Sequence, residues 1–215
     1  MPVINLPHRT DRWEAFQKAW ANTDLKIDRT DGIKDTDVFK AIFTKHRELI
    51  EEAHAKGEKY LLIMEDDAIP CADFDTRWKQ VRDVLHSFDN WEIFNGGCLA
   101  IHDSIKQVLK LEDKNTYFKT LLLSPKRGCM AHFLYFNVEK ARERMKTWES
   151  DGCMEFDAWY CNKFEVLACV PFLAIQSDGF SDETKKHREW KSRFDAEEAG
   201  LLHSLRDFLA DEVVE

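Results

Sequence analysis

The chain has 215 residues, 44% of them hydrophobic and 12% aromatic, which supplies one ordinary packed domain and excludes a disordered chain. Its formal net charge of −9 opposes any surface that grips nucleic acid or anionic lipid by neutralising phosphates. Six cysteines with no CxxC pair and no zinc-like spacing argue against a disulfide or zinc framework and read as reduced, buried thiols. No secretory signal is visible and no apolar run approaches a membrane span, so the expected location is cytoplasmic, with peripheral membrane contact at most.

The first half alternates strand and helix. Val3–Leu6 reads as a short strand. Asp11 opens a helix with Glu14 as a capping box and Trp13, Phe16 and Trp20 on one face. Leu25–Asp28 is the second strand, closed by a turn at Asp31-Gly32. Thr36–Lys56 is the clearest helix: Val38, Ile42, Leu49 and Ala53 share a face, and Gly57 supplies the stop. Tyr60–Met64, five apolar residues in a row, suits a strand covered on both faces. It ends in Glu65-Asp66-Asp67. Trp78, Val81, Leu85 and Phe88 mark a helix, and Trp91–Phe94 a strand closing in Asn95-Gly96-Gly97.

Beyond that point the pattern changes. Tyr117–Leu123 and Ala131–Phe136 read as strands around a Pro-Lys-Arg-Gly turn. Asn137 caps a helix carrying Val138, Ala141, Met145 and Trp148. A short helix near Asp157–Phe164 precedes strands at Val166–Val170 and Phe172–Gln176. Residues 182–215 read as a charged helical tail with Leu201, Leu202, Leu205 and Leu209 in one stripe. Repeated β-α-β in front and mixed strands behind predict an α/β fold with an open sheet in one domain.

The acidic triplet carries the chemistry. In open α/β sheets ligands bind beyond the carboxyl ends of the strands, and a buried strand there delivers three consecutive acids that repel one another. A divalent cation removes the conflict, because Mg²⁺ or Mn²⁺ takes one or two protein carboxylates and completes its shell with water and phosphate oxygens. Side-chain alternation puts Glu65 and Asp67 on one side with Asp66 turned away. Asp67 is then the direct ligand, and Glu65 meets a ribose or a metal-bound water. Acids in a turn also serve as simple caps, and nearby Arg or Lys would be the alternative to a metal.

The segment Ala41-Ile42-Phe43-Thr44-Lys45-His46 followed by Tyr60–Met64 and Glu65-Asp66-Asp67-Ala68 resembles glycosyltransferase family 25, the lipooligosaccharide and collagen galactosyltransferase type. Val3–Arg12 resembles that family's opening strand and R-x-D-R turn, Thr30-Asp31-Gly32 its D-G, Gly128–Tyr135 its G-A-Y strand, Phe156-Asp157 its V-D pair, and Pro171 to Gln176 its late P…Q. Lys45 stands where the family has Ser, and His132 where Tyr is commoner. The resemblance covers about residues 3–180. It implies a GT-A fold, a single Rossmann-like open mixed sheet flanked by helices. Residues 1–181 would form the catalytic domain, with a nucleotide-sugar half to about 100 and an acceptor half beyond, and 182–215 a tail. It also implies a UDP-linked donor, Mn²⁺ or Mg²⁺, a glycan or glycoconjugate hydroxyl as acceptor, and inversion at the anomeric carbon.

Within that scheme Asp157 is the expected base, with Glu155 as runner-up, although an acid at a helix start also caps it. Asn5, Arg9 and Asp31 end the first two strands at the nucleotide edge, with Arg12 as an alternative phosphate partner. His46, Glu65 and Asp66 join the donor-binding set. GT-A enzymes often complete the metal shell late in the chain, which points to His187 or Asp178. Trp159, Tyr160 and Trp190 are candidates for stacking on sugars and equally for the core. Two other readings use the same acids: a metal-dependent nucleotidyl- or phosphotransferase, which would favour a Gly-rich phosphate loop that the sequence lacks, and an inactive sugar-nucleotide-binding module.

Overall fold

The computed structural model describes residues 1–100, 105–111, 120–125, 130–182 and 185–205. Eight strands among them form one mixed sheet: β1 (Pro2–Asn5), β2 (Asp28–Asp31), β3 (Tyr60–Glu65), β5 (Ile93–Asn95), β6 (Ile105–Leu111), β7 (Thr120–Pro125), β8 (Phe133–Asn137) and β9 (Val166–Val170). Their order is β2-β1-β3-β8-β5-β9-β7-β6. β2, β1 and β3 are parallel neighbours, β8 runs against both β3 and β5, and β9 runs with β5. The carboxyl ends of β1, β2, β3, β5 and β9 therefore share one edge, where the start of β8 also lies. Short antiparallel pairs sit outside the sheet: β4 (Ala68–Pro70) with β10 (Ala174–Gln176), and β11 (Gly179–Ser181) with β12 (Lys186–Arg188).

Helices cover both faces. α1 (Thr10–Trp20) and α3 (Phe74–Ser87) pack on one, α2 (Val38–Ala55), α4 (Val138–Met145) and α5 (Phe156–Lys163) on the other. The alternation along β3 fixes this arrangement. Leu61 and Ile63 enter the core with α2, α4 and α5, while Leu62 and Met64 enter the core with α1 and α3. Both sets are buried, which is why the strand reads as an unbroken apolar run. Aromatic packing knits the layers. Phe43 of α2 stacks on Trp148 with centroids 4.1 Å apart, and Trp20 of α1 meets Phe74 of α3 edge-on at 4.8 Å.

Local signals explain most boundaries. Asp37 caps α2 by accepting from Lys40 N at 3.0 Å, Gly57 with φ +73° ends it, and Asn137 caps α4. Gly97 sits so close to the carbonyl of Ala174 that a Cβ there would collide with it. The structure departs from the sequence-based reading in three places. α1 begins at Thr10 with no side-chain cap, because Asp11 is held by Arg9 at 2.9 Å instead of capping the helix. The second strand is Asp28–Asp31, three residues beyond the expected start, since its register is set by pairing with β1 while Leu25 and Ile27 pack below the sheet edge.

Among the described residues after 181, the first element is not helix but β12, which pairs back with β11. α6 (Lys191–Ser204) follows, and Phe194, Leu201 and Leu205 are buried against Val170 and Phe172. Tyr117, the Lys-Arg-Gly of the expected turn and Leu209 lie outside the described residues.

Candidate functional site

A cleft of about 550 Å³ opens at the carboxyl edge of the parallel strands. Its floor is the end of β3 and the turn that follows. β3 stops at Glu65, so Asp66 and Asp67 belong to the turn into β4. The expected arrangement, with Asp66 turned away from Asp67, is therefore corrected. Arg12 of α1 donates through one nitrogen to both, at 2.9 Å to Asp66 Oδ1 and 3.2 Å to Asp67 Oδ2. Its other terminal nitrogen donates to the Phe180 carbonyl at 2.9 Å.

Asn5, at the end of β1, supports this group from below. It is buried, donates to Asp66 Oδ2 at 2.5 Å and to the Arg9 carbonyl, and accepts from Arg29 at 2.8 Å. Glu65 lies on the Leu61/Ile63 face of β3, toward α5 and Asp157. Asp157 accepts from Met130 N at 2.8 Å, which orients its carboxylate across the cleft.

The electrostatics are those of too much negative charge in a small space. Burial raises the Glu65 carboxyl well above the usual carboxylate range, and Asp67, Asp157 and Asp66 raise it further, with Arg12 opposing. Asp66 is also raised, by burial first and Asp67 second, which together outweigh Arg12 and Asn5. Burial works against the Arg12 cation, yet Asp67 and Asp66 keep its pKa above the ordinary value. Arg12 thus pairs with two members of a group of four carboxyl groups. Arg12 takes Asp67 Oδ2 but leaves Oδ1, which is buried without a hydrogen-bond partner among the described residues.

Among the described residues no three His, Cys, Asp or Glu side chains converge closely enough to hold an ion by themselves. The unsatisfied Asp67 oxygen beside Glu65 fits a different kind of site. There a divalent cation takes one or two carboxylates from the protein and the rest of its shell from water and ligand phosphates.

The cleft gathers seven of the predicted catalytic, donor-binding and metal residues: Arg12, His46, Glu65, Asp66, Asp67, Glu155 and Asp157. Others fall elsewhere. Arg9 is drawn off by Asp11 and Asp182, both of which raise its pKa, so it fastens the β11–β12 hairpin and does not face the cleft. Asp31 is exposed at the strand end, and Gly32 and Ile33 line the cleft in its place. His187 is exposed on β12 with its ring against Phe180, outside the cleft. Asp178 accepts from Lys191 N at the start of α6. Trp159 and Tyr160 are wholly buried core residues, whereas Trp190 does line the cleft.

His46 is fully buried, with Nδ1 2.9 Å from the Ile42 carbonyl and Nε2 without a partner among the described residues. Burial pushes its pKa down to about 4, against the weaker opposing effect of the Ile42 hydrogen bond. The imidazole is neutral, Nδ1 carries the proton, and Nε2 is left as an acceptor.

Several cleft residues were given no site role by the sequence. Gln176 donates to Asp67 Oδ2 at 2.6 Å. Lys34, Lys45, Lys185 and Arg188 bring positive charge to the cleft, with Lys45 3.6 Å from Glu48. The sequence names Gln176 only as the end of the late P…Q pattern and Lys45 only as a departure from the family's Ser, and the basic residues come from four separate positions that no spacing links.

No protein-family model matches the sequence, and no curated protein matches it. Among solved structures the chain is similar to A197 from STIV, known from a crystal structure, at 14% identity over 86% of this chain and 90% of that one, with a TM-score of 0.46.

Proposed function

We propose that the cleft binds a nucleotide sugar, UDP-linked, together with Mn²⁺ or Mg²⁺, on a GT-A-type fold, and passes the sugar to a glycan or glycoconjugate hydroxyl with inversion. The observation that carries this reading is the meeting, in one cleft, of the strand-end acids Glu65 and Asp67, the acid Asp157 from the opposite wall, and cationic side chains from separate segments. Inverting transfer is one in-line displacement, which needs a proton acceptor for the incoming hydroxyl and charge stabilisation for the departing diphosphate. Asp157 is the proton acceptor, aimed by the Met130 N–H, and Glu155 at the exposed start of α5 is the alternative. A bound cation at Asp67 supplies Lewis-acid stabilisation of the diphosphate. Lys34, Lys185 and Arg188 offer further positive charge to the phosphates, and the neutral His46 offers an acceptor to a ligand N–H or O–H. No helix among the described residues is long and apolar enough to cross a membrane; a cytoplasmic location with peripheral membrane contact belongs to this reading.

The grip of Arg12 on Asp66 and Asp67 favours a second reading, a module that binds a sugar nucleotide without turning it over. Thermal melting with Mn²⁺ separates both from a phosphotransferase: UDP and UDP-sugars raise the melting temperature, and ATP does not. Donor hydrolysis then separates the first two. Metal-dependent release of UDP by the wild-type protein, lost in Asp67→Ala, supports the transferase, and no turnover with any UDP-sugar leaves the binding module.

A further inference from the structure

The β4–β10 ladder pairs Gln176 with Ala68, and Ser177 N donates to the Asp67 carbonyl at 2.7 Å. The side chains of Asp67 and Gln176 therefore issue from backbones locked side by side. Gln176 Nε2 donates to Asp67 Oδ2 at 2.6 Å. The reverse orientation of the amide would set two oxygens face to face, so this bond fixes which end is which. Two oxygens are left over. Asp67 Oδ1 and Gln176 Oε1 are both shielded from solvent, and neither meets a donor among the described residues. Asp67 itself is 5% exposed.

A buried acceptor without a donor is costly, and here two stand on adjoining side chains, next to the other carboxyl groups of the cleft. Arg12 and the Gln176 amide both occupy Oδ2, so neither blocks Oδ1. A carboxylate oxygen plus an amide oxygen is a hard-oxygen pair suited to Mg²⁺ or Mn²⁺.

We propose that Gln176 Oε1 is the second protein ligand of the cation, beside Asp67 Oδ1, in the place for which the family resemblance pointed to His187 or Asp178. The inference rests on the cation-dependent reading above and names the residue that completes its site. Gln176 does two things at once: its NH₂ pins the Asp67 carboxylate, and its oxygen joins that carboxylate in facing the ion. β10 is thereby the structural element that closes the site, since its register decides whether Oε1 reaches it.

The test titrates Mn²⁺ alone into metal-free protein, with and without UDP, following the loss of the free-ion paramagnetic resonance signal. Even partners that only orient a metal ligand change affinity by about 10–100-fold. Gln176→Ala is therefore expected to weaken Mn²⁺ binding at least about tenfold, Gln176→Glu to retain or tighten it, Asp67→Asn to lose it, and His187→Ala to leave it unchanged. Gln176→His adds a readout that a structural role would not move, a shift in preference from Mg²⁺ toward Co²⁺. Melting curves in chelator identify any variant that fails to fold. Wild-type affinity in Gln176→Ala, with loss in Asp67→Asn, overturns the assignment and leaves the cation reading standing. Loss in His187→Ala overturns it in favour of the histidine. No binding by wild type even with UDP overturns both, the two oxygens then being met by water.

Discussion

Arg12→Met tests the charge balance on which the site depends. Methionine keeps much of the aliphatic stem and removes the guanidinium, leaving Asp66 and Asp67, 7% and 5% exposed, without their cation. Removing one partner of a buried pair costs about 3–5 kcal/mol. The Arg12 side chain is 23% exposed, so solvent softens the loss and the lower end applies, about 3 kcal/mol. For a chain of this size each kcal/mol moves the melting temperature by about 2–4 °C, and the variant in chelator should melt about 6–12 °C below wild type. Mn²⁺ should then restore more than it gives the wild-type protein, because the Arg12 charge, although it leaves Oδ1 open, no longer repels a cation beside the same acids; saturation at a hundredfold above Kd returns about 2.7 kcal/mol. Differential scanning fluorimetry across a Mn²⁺ series reads both effects. A variant that melts with wild type in chelator refutes the pairing argument. One that falls as expected but gains nothing extra from Mn²⁺ refutes the placement of a cation at these acids.

Asp157→Asn should keep UDP binding within about threefold while transfer falls by about 10²–10⁴-fold, measured as UDP release with acceptor present; loss of binding instead would make Asp157 a donor contact. The buried histidines give a pH signature. Burial lowers His46 and His132 from 6.5 to about 4, so between those values the unfolded chain binds the extra protons. Stability is complete above about pH 6.5 and is lost as the pH falls toward 4, by about 3 kcal/mol for each histidine. Glu65 acts in the opposite sense, its raised pKa giving stability that is lost as the pH rises. Urea midpoints of wild type and His132→Gln between about pH 7 and pH 4.5 should show the shallower fall in the variant, and equal slopes would remove His132 from the account.

The legibility of the chain follows burial. β3 and β9 stand out in the sequence because both of their faces are covered, so Leu61–Met64 and all of β9 had to be apolar. α2 and α4 are readable from a cap, a stripe and, for α2, a glycine stop. β2 is not readable in place: it is an edge strand of Asp-Arg-Thr-Asp, exposed or half-exposed throughout, so the apolar signal belongs to the segment leading into it. The β11–β12 hairpin is equally hidden, because short polar strands held by Arg9 and Arg12 carry no period of their own. Charged residues between positions 182 and 190 therefore resemble the helix that only begins at Lys191.

The same division runs through the candidate site. An apolar run breaking into Glu65-Asp66-Asp67 places acids at a strand tip from sequence alone, and in the structure the last four residues of that run, Leu61–Met64, are buried. What those acids face was decided in three dimensions. α1 brings Arg12 onto Asp66 and Asp67, α5 sets Asp157 opposite Glu65, and β10 lays Gln176 against Asp67 across 109 residues of chain. Local sequence fixes which side chain a strand or turn presents, because that depends on alternation and burial. Which charge meets which depends on strand order, register and helix packing, and these are properties of the whole sheet.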